Sequence, residues 1–435
     1  PGPPRGDRLQ TGIGKASPAA DGGRTAIDPG RERDFRLFVL ASIFMGLGAC
    51  VNSAAFNNYL RDNYALDVGR RTLLEFPREL PGFLVSLFVG VLAALGDVRI
   101  AAIAGMVASV GMFAMGWIPP VYGIMLASVF VFSAGTHIYM PLANSIGMGF
   151  ARKGNEGGVL GKIQASTTSA LVVGAAVLVI LFRFVNLSYR TAFSVGAIFY
   201  FLAGLSLFFM KPAPRVAAAR RFVVKKEYSR FYVLSVLYGA RKQLFITFGP
   251  WMIVDLFDQP VSTMTLLFFI VSILGIAVKP AVGKITDRFG PRPVLETEAL
   301  LTIVLCMLYA FAPELLPPGA ALVVICACYV VDQASDAVSM SRAVYAKQIV
   351  SRPEDLSPTL SFGISIDHLV AMTLPVLGGL VWKSAGNTGY RWVFIGGAVV
   401  AVCSYFVSRG MAAPAKASVS PESTIPASSA QGTTK

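Results

Sequence analysis

Residues Gly283 to Arg292 read GKITDRFGPR and lie where two apolar runs, 261–284 and 291–312, meet. The stretch carries Asp287, Arg288 and Arg292 between two glycines and beyond them, Gly283 and Gly290. Each flanking run approaches the ~20 residues that a helix needs to cross a hydrocarbon core roughly 30 Å thick. A short, charged, glycine-bearing turn between two such runs is a hinge at a membrane face rather than a loop of a soluble domain.

The totals extend that inference to the whole chain. Of 435 residues, 54% are hydrophobic and 14% charged, and mean hydropathy is +0.63. A soluble protein carries roughly 25% charged residues. Backbone groups in lipid must find their partners within the segment, so an all-α polytopic membrane protein is expected. The net charge of +14 sits in short connections between apolar runs, where membrane topology accounts for it, so nucleic acid is not an expected partner. Cys50, Cys306, Cys326, Cys328 and Cys403 all lie inside apolar runs without CxxC or Cys/His spacing, so neither a disulfide nor a metal is expected.

In chain order, residues 1–34 and 411–435 are rich in small residues and Pro, and read as disordered tails. Between them run twelve candidate spans, six in residues 35–210 and six in 229–410, joined by the basic linker 211–228. Pro120, Pro318 and Pro358 are expected at first-turn positions, with Ser357 as a cap. Lys and Arg crowd alternate connections: Arg152, Lys153 and Lys162; Lys211, Arg215, Arg220, Arg221, Lys225, Lys226 and Arg230; Lys284, Arg288 and Arg292; Lys347 and Arg352. The positive-inside rule makes these faces, and both termini, cytoplasmic.

The two sets of six echo each other. Tyr189, Arg190 and Phe193 open the sixth span as Tyr390, Arg391 and Phe394 open the twelfth, and Phe83–Ser86 in the second resembles Phe269–Ser272 in the eighth. Parallel repeats of six spans leave this signature. With GKITDRFGPR after the eighth span, residues 35–410 resemble the major facilitator superfamily. The resemblance implies a gate in which Gly283 permits close helix approach, Asp287 accepts hydrogen bonds or pairs with a base, and Arg288 and Arg292 clamp acidic groups. The corresponding first-half stretch departs from the pattern: after Gly90 it has Gly96, Asp97, Val98 and Arg99, with no Asp-Arg pair. Asp97 is expected to stand where Asp287 stands, and the two gates to be unequal.

An ionisable side chain within a span costs about 2.5 to 3.5 kcal/mol on insertion scales and so marks function or a partner. Arg241 lies about 16 Å into the seventh span, near the midplane. It is either a cation for an anionic or zwitterionic solute, in which case Arg241→Ala would lose binding yet fold, or half of a structural ion pair. Lys242 is adjacent but about 100° round the helix. Asp332 and Asp336 sit one turn apart on the tenth span, and Asp367 beside His368 in the eleventh. Each Asp either exchanges a proton as a pair with Arg241 forms and breaks, or fixes packing permanently. Glu75, Arg78 and Glu79 share a face of the second span, next to Pro77 and Pro81. They form a gate or proton entry, or an ion cluster solvated among headgroups. His137 with Asn144 in the fourth span is a pH switch or a packing residue. Trp251, beside Gly249 and Pro250, stacks on solute or is an interface aromatic.

No nucleotide-binding or catalytic-triad motif stands at a credible position, so an enzyme is not expected, nor a cofactor. The expectation is a monomeric secondary transporter of a small organic solute, coupled to protons, in a bacterial inner membrane. The alternative is a membrane sensor or lipid-handling protein that reuses the fold without transport.

Overall fold

The computed structural model describes residues 31–150, 156–211, 224–352 and 355–411. Most of both expected tails, most of the linker, and Arg152, Lys153, Arg215, Arg220 and Arg221 lie outside these residues. Two boundaries move within them. Residues 32–34 belong to the first helix instead of the tail, and Lys226–Tyr228 form a 3-10 turn. That turn is docked: Lys225 Nζ and Tyr228 Oη donate to Asp355 at 2.6 and 2.9 Å, which holds the Asp355 carboxyl below its ordinary range.

Fifteen α-helices are described: α1 Glu32–Tyr64, α2 Val68–Leu73, α3 Glu75–Phe83, α4 Val85–Val91, α5 Asp97–Trp117, α6 Tyr122–Met148, α7 Glu156–Phe184, α8 Tyr189–Phe208, α9 Ser229–Trp251, α10 Val261–Phe289, α11 Pro291–Leu315, α12 Pro318–Ser335, α13 Ser339–Ile349, α14 Leu356–Ser384 and α15 Gly389–Arg409. No strand occurs among the described residues. Taking α2–α4 as one broken span and α12–α13 as another gives twelve membrane segments, six per half.

Ten of them are long and apolar enough to cross a bilayer. The two that fall short, α2–α4 and α9, hold Arg71, Glu75, Arg78 and Glu79 in one case and Arg241, Lys242 and Gln243 in the other. α2–α4 is broken into helices of 6, 9 and 7 residues, and α9 is made less apolar by the polar groups it carries. Large apolar side chains such as Val91, Val323 and Leu377 are exposed on the surface of the bundle, as lipid contact requires.

Local chemistry sets the breaks. Pro81 inside α3 removes a backbone donor, and Leu84 interrupts the helix at φ −88°, ψ 2°. Pro250 near the end of α9 is followed by a π turn, Met252–Leu256. A 3-10 turn, Asp336–Val338, divides α12 from α13. Asp67 caps α2 by accepting from Arg70 N at 2.7 Å, and Ser188 caps α8 in the same way. Pro318 does open α12, but Pro120 lies before α6, and α14 starts at Leu356 with Asp355 as its N-cap, so Ser357 is inside the helix.

Small residues bring helices together within each half. A Cβ on Gly105 of α5 would stand 3.0 Å from Gly204 Cα of α8, an approach that only glycine allows. In the first half α5 packs on α6 and α8, and α1 on α7 and α8; in the second α11 packs on α15, and α9 on α14 and α15. The halves meet along α7 with α10, α1 with α10, and α2 and α3 with α14.

The repeat is visible in the backbone, and it corrects one expected equivalence. Gly96 before α5 and Gly290 before α11 share a conformation, φ 77°, ψ 154° and φ 82°, ψ 169°. Both are positive-φ positions where glycine is favoured, each just ahead of the third helix of its half. Gly96 thus matches Gly290, Asp97 matches Pro291, and the residue in the place of Asp287 is Ala93. A terminal glycine is present in the first half; the acidic residue is not.

Candidate functional site

Two polar clusters occupy the interior. The first lies within the second half. Arg241 of α9 is 6% exposed, and its Nη2 is 2.7 Å from Asp332 Oδ1 of α12. Its Nε lies 2.9 Å from Glu298 Oε1 of α11, and Ser335 Oγ accepts from Nη2 at 2.6 Å. One guanidinium thus faces two buried carboxylates. The adjoining cavity between α9, α11, α13 and α15 holds about 20 Å³, room for roughly one water molecule. Arg241 is therefore an already neutralised cation beside a water-sized space. In this structure Arg241 makes the ion pairs of the packing alternative.

Around this core, Tyr238 Oη donates to Asp336 Oδ1 at 2.6 Å, and the Arg342 guanidinium lies over the Tyr238 ring at 3.3 Å. Arg342 also approaches Asp367 Oδ2 at 3.7 Å. Asp336 is exposed while Asp332 and Asp367 are buried. Lys242 is half-buried, 5.9 Å from the Tyr238 ring, with no ion-pair partner within 4.0 Å among the described residues. The exposed Asn144 lies apart from both clusters.

The second cluster joins the halves. Arg71 Nη1 is 2.6 Å from Glu75 Oε1 and Arg78 Nη2 is 2.7 Å from Glu79 Oε1. Arg78 Nε also reaches Glu75 Oε2, which accepts from Gln243 Nε2 of α9 at 2.9 Å. Two arginines and two glutamates leave the group neutral, which makes its burial tolerable. Glu75 is fully buried, so an ion cluster solvated among headgroups is ruled out for these residues. His368 Nδ1 of α14 is 2.9 Å from Glu79 Oε2, and the His137 and His368 rings stand 5.0 Å apart, edge to face. His137 is therefore not a lone histidine. One donor atom from each of Glu79, His137 and His368 falls within 4.8 Å of the others, so the expectation of no metal, argued from the cysteines, does not extend to this cluster. Trp251 is fully buried with Arg71 5.8 Å over its ring, an inter-half contact and not a surface for solute.

Polar contacts between the halves fall at one end of the bundle and run inward from it. Arg61 at the end of α1 pairs with Asp258 at 2.9 Å, Asn58 donates to Gln259 O at 2.8 Å, and Lys383 approaches Asp67 at 3.6 Å. The Glu75–Gln243 and Glu79–His368 bonds continue the series toward the middle. At the other end, the end of the Gly290 turn, no hydrogen bond or ion pair joins the halves among the described residues. There Asp287 and Arg288 are exposed with no side-chain hydrogen bond or ion pair among the described residues, Arg288 overlying Phe289, and Arg292 pairs with Glu296 on its own helix. Gly283 faces Met340 of its own half, and Asp97 accepts from Ser145 Oγ at 3.0 Å. Among the described residues, the clamps implied for this motif are not made.

Arg71, Gln243, Glu298 and Arg342 escaped the sequence. Glu298 was open to the same test as Asp332, being an acidic group inside an apolar run. Arg71 and Arg342 sit near span ends, where a charge reads as topology.

Comparison with known proteins agrees with this architecture. The model of the Major Facilitator Superfamily matches residues 79–341 and 231–431. No curated protein matches the chain. Among solved structures, the nucleoside transporter NupG aligns with TM-score 0.70 at 15% identity, over 87% of this chain and 99% of that one. A bacterial homolog of the human lysosomal transporter Spinster, inward-facing and occupied, aligns with TM-score 0.67 at 15% identity, over 88% and 98%. A D-xylose-proton symporter aligns with TM-score 0.65 at 14% identity, over 88% and 98%. Identities this low speak for the fold alone. With the family model spanning most of its length, the chain belongs to the major facilitator superfamily.

Proposed function

We propose that this protein is a proton-coupled secondary transporter that moves a small organic solute by rocking its two halves. The observation that carries this is the one-ended distribution of polar contacts between the halves: they join the halves at one end, and among the described residues none joins them at the end of the gate motif. Placing the basic connections in the cytoplasm makes the state inward-facing, with both terminal segments on the cytoplasmic side of a bacterial inner membrane. The unit is a monomer, and the transport path lies between its halves.

Proton coupling is assigned to the Arg241 triad. One guanidinium cannot satisfy two buried carboxylates equally, so Asp332 and Glu298 compete for it. A proton on Asp332 weakens its hold on Arg241, which passes to Glu298, and loosens α12 from α9; its loss restores the bond. Tyr238, Asp336, Cys306, Tyr309 and Arg342 also surround the pair. Lys242, half-buried and without an ion-pair partner among the described residues, is assigned to an anionic group of the solute.

A thermal-stability screen against metabolites identifies a binder, since a ligand stabilises by mass action. With that solute in proteoliposomes, Asp332→Asn is expected to keep binding and exchange but lose accumulation driven by a pH gradient. Gradient-driven accumulation equal to wild type would remove Asp332 from coupling. Lys242→Gln is expected to weaken binding about tenfold or more, the loss of one charge-assisted contact of about 1.5 to 3 kcal/mol. Unchanged affinity would exclude Lys242 from the solute site. Binding without any flux would instead favour a sensor.

A further inference from the structure

We infer that Glu79, His137 and His368 form a binding site for a divalent transition-metal ion of the zinc class, and that the ion staples the two halves inward of the end where they are bonded. The three residues come from α3, α6 and α14, so two ligands belong to the first half and one to the second. Two imidazoles and a carboxylate are a donor set that zinc accepts, with a fourth position left to water.

The geometry supplies more than proximity. His137 Nδ1 is 2.9 Å from the carbonyl oxygen of Ser133 and 2.8 Å from Ser133 Oγ, whose own proton goes to the Arg78 carbonyl, so Nδ1 carries the proton and Nε2 presents a lone pair. That Nε2 faces Glu79 Oε2 at 3.9 Å, too far for a hydrogen bond. Two electron-rich atoms thus face each other. His368 Nδ1, 2.9 Å from the same Oε2, completes the set. Zinc bonds of about 2.0 to 2.1 Å to tetrahedral nitrogen and oxygen ligands separate those ligands by ~3.3 Å, between the two distances seen here. Small shifts of partly exposed side chains therefore suffice.

The support around the ligands also fits. A backbone carbonyl fixing the non-ligating nitrogen of a histidine is the usual outer-shell device at metal sites. Arg78 holds Glu79 through Oε1, leaving Oε2 to the histidines, and is itself a quarter exposed, so its charge is partly screened. Binding replaces the proton between His368 and Glu79: Nδ1–H gives up its proton to water as the nitrogen ligates the ion. A cross-half hydrogen bond then becomes two coordinate bonds, which favours the closed end by mass action.

The test uses the purified full chain and Zn²⁺, with Co²⁺ as spectroscopic probe. Calorimetry should find one Zn²⁺ per chain, and Co²⁺ should give the intense visible bands of a tetrahedral site. His137→Asn and His368→Asn should each weaken binding at least about tenfold, the loss seen when even an outer-shell partner is removed. Hydrogen exchange on the wild type should show Zn²⁺ slowing exchange in both α3 and α14. No stoichiometric binding, or unchanged affinity in the double variant with the native elution profile kept, overturns the site. Protection confined to one half, or protein-dependent accumulation of Zn²⁺ in proteoliposomes, overturns the staple and makes the ion a passing or transported one.

Discussion

Arg241→Ala is expected to fail as a folded protein, with monodisperse yield and thermal midpoint both falling sharply against wild type. The substitution removes the one cation between Asp332 and Glu298, which are 3% and 8% exposed. Breaking a buried pair from one side costs about 3 to 5 kcal/mol, because the abandoned charge stays buried. Here two carboxylates are abandoned at once. The informative companion is the charge-balanced triple variant Arg241→Met, Asp332→Asn, Glu298→Gln, expected to regain most of the lost stability, since neutral replacement of a whole buried network is often tolerated. Fluorescence-detected gel filtration after heating separates the outcomes. A stable Arg241→Ala that has lost only solute binding would restore Arg241 as the solute's cation.

Gly82→Val is expected to fold and to open the end that is closed in this structure. Gly82 of α3 faces both histidines: a Cβ there would lie 2.5 Å from His368 Cε1 and 2.7 Å from His137 Cδ2. Within one half such crowding would only strain the core. Because His368 belongs to the other half, separation of the halves relieves it. Overpacking costs typically 1 to 3 kcal/mol, or about 5- to 150-fold in the balance between closed and open, enough to reverse a modest preference. Spin labels at Asn63→Cys and Ser384→Cys, with the exposed Cys403 replaced, report the separation. A longer distance in Gly82→Val, with Gly82→Ala between it and wild type, is the expected result. Identical distance distributions in all three would mean that α3 and α14 do not part at Gly82.

The membrane-spanning architecture was legible because its determinants are local. Run lengths and the Lys/Arg distribution located the spans, and the segment GKITDRFGPR carried the family's mark. The boundaries that moved did so for local reasons as well: Asp355 rather than Ser357 lies ahead of α14, and Glu32 extends α1. The Asp97 equivalence was misread for a different reason. Letter spacing aligned two aspartates, whereas the backbone aligns two glycines, Gly96 and Gly290, through a positive φ that letters do not display.

The candidate site was half legible. A charge inside an apolar run is conspicuous, so Arg241, Asp332, Glu79 and His368 all stood out as residues. Their partners did not. Each residue turns a helix face by about 100°, so a small error in a helix's rotation sends a side chain to a different neighbour. Arg241 could face a solute or a carboxylate equally well until α11 was known to bring Glu298 against it. Glu79 and His368, 289 positions apart, meet only because α3 packs on α14.

The sequence by itself determined that this chain crosses a membrane with two related sets of helices, because hydrophobic length and loop charge act segment by segment. Only the tertiary structure decided that Arg241 is neutralised, that Glu79 and two histidines converge, and which end of the bundle is shut. Those depend on contacts between helices distant in the chain, and their energies exist only once the helices have packed.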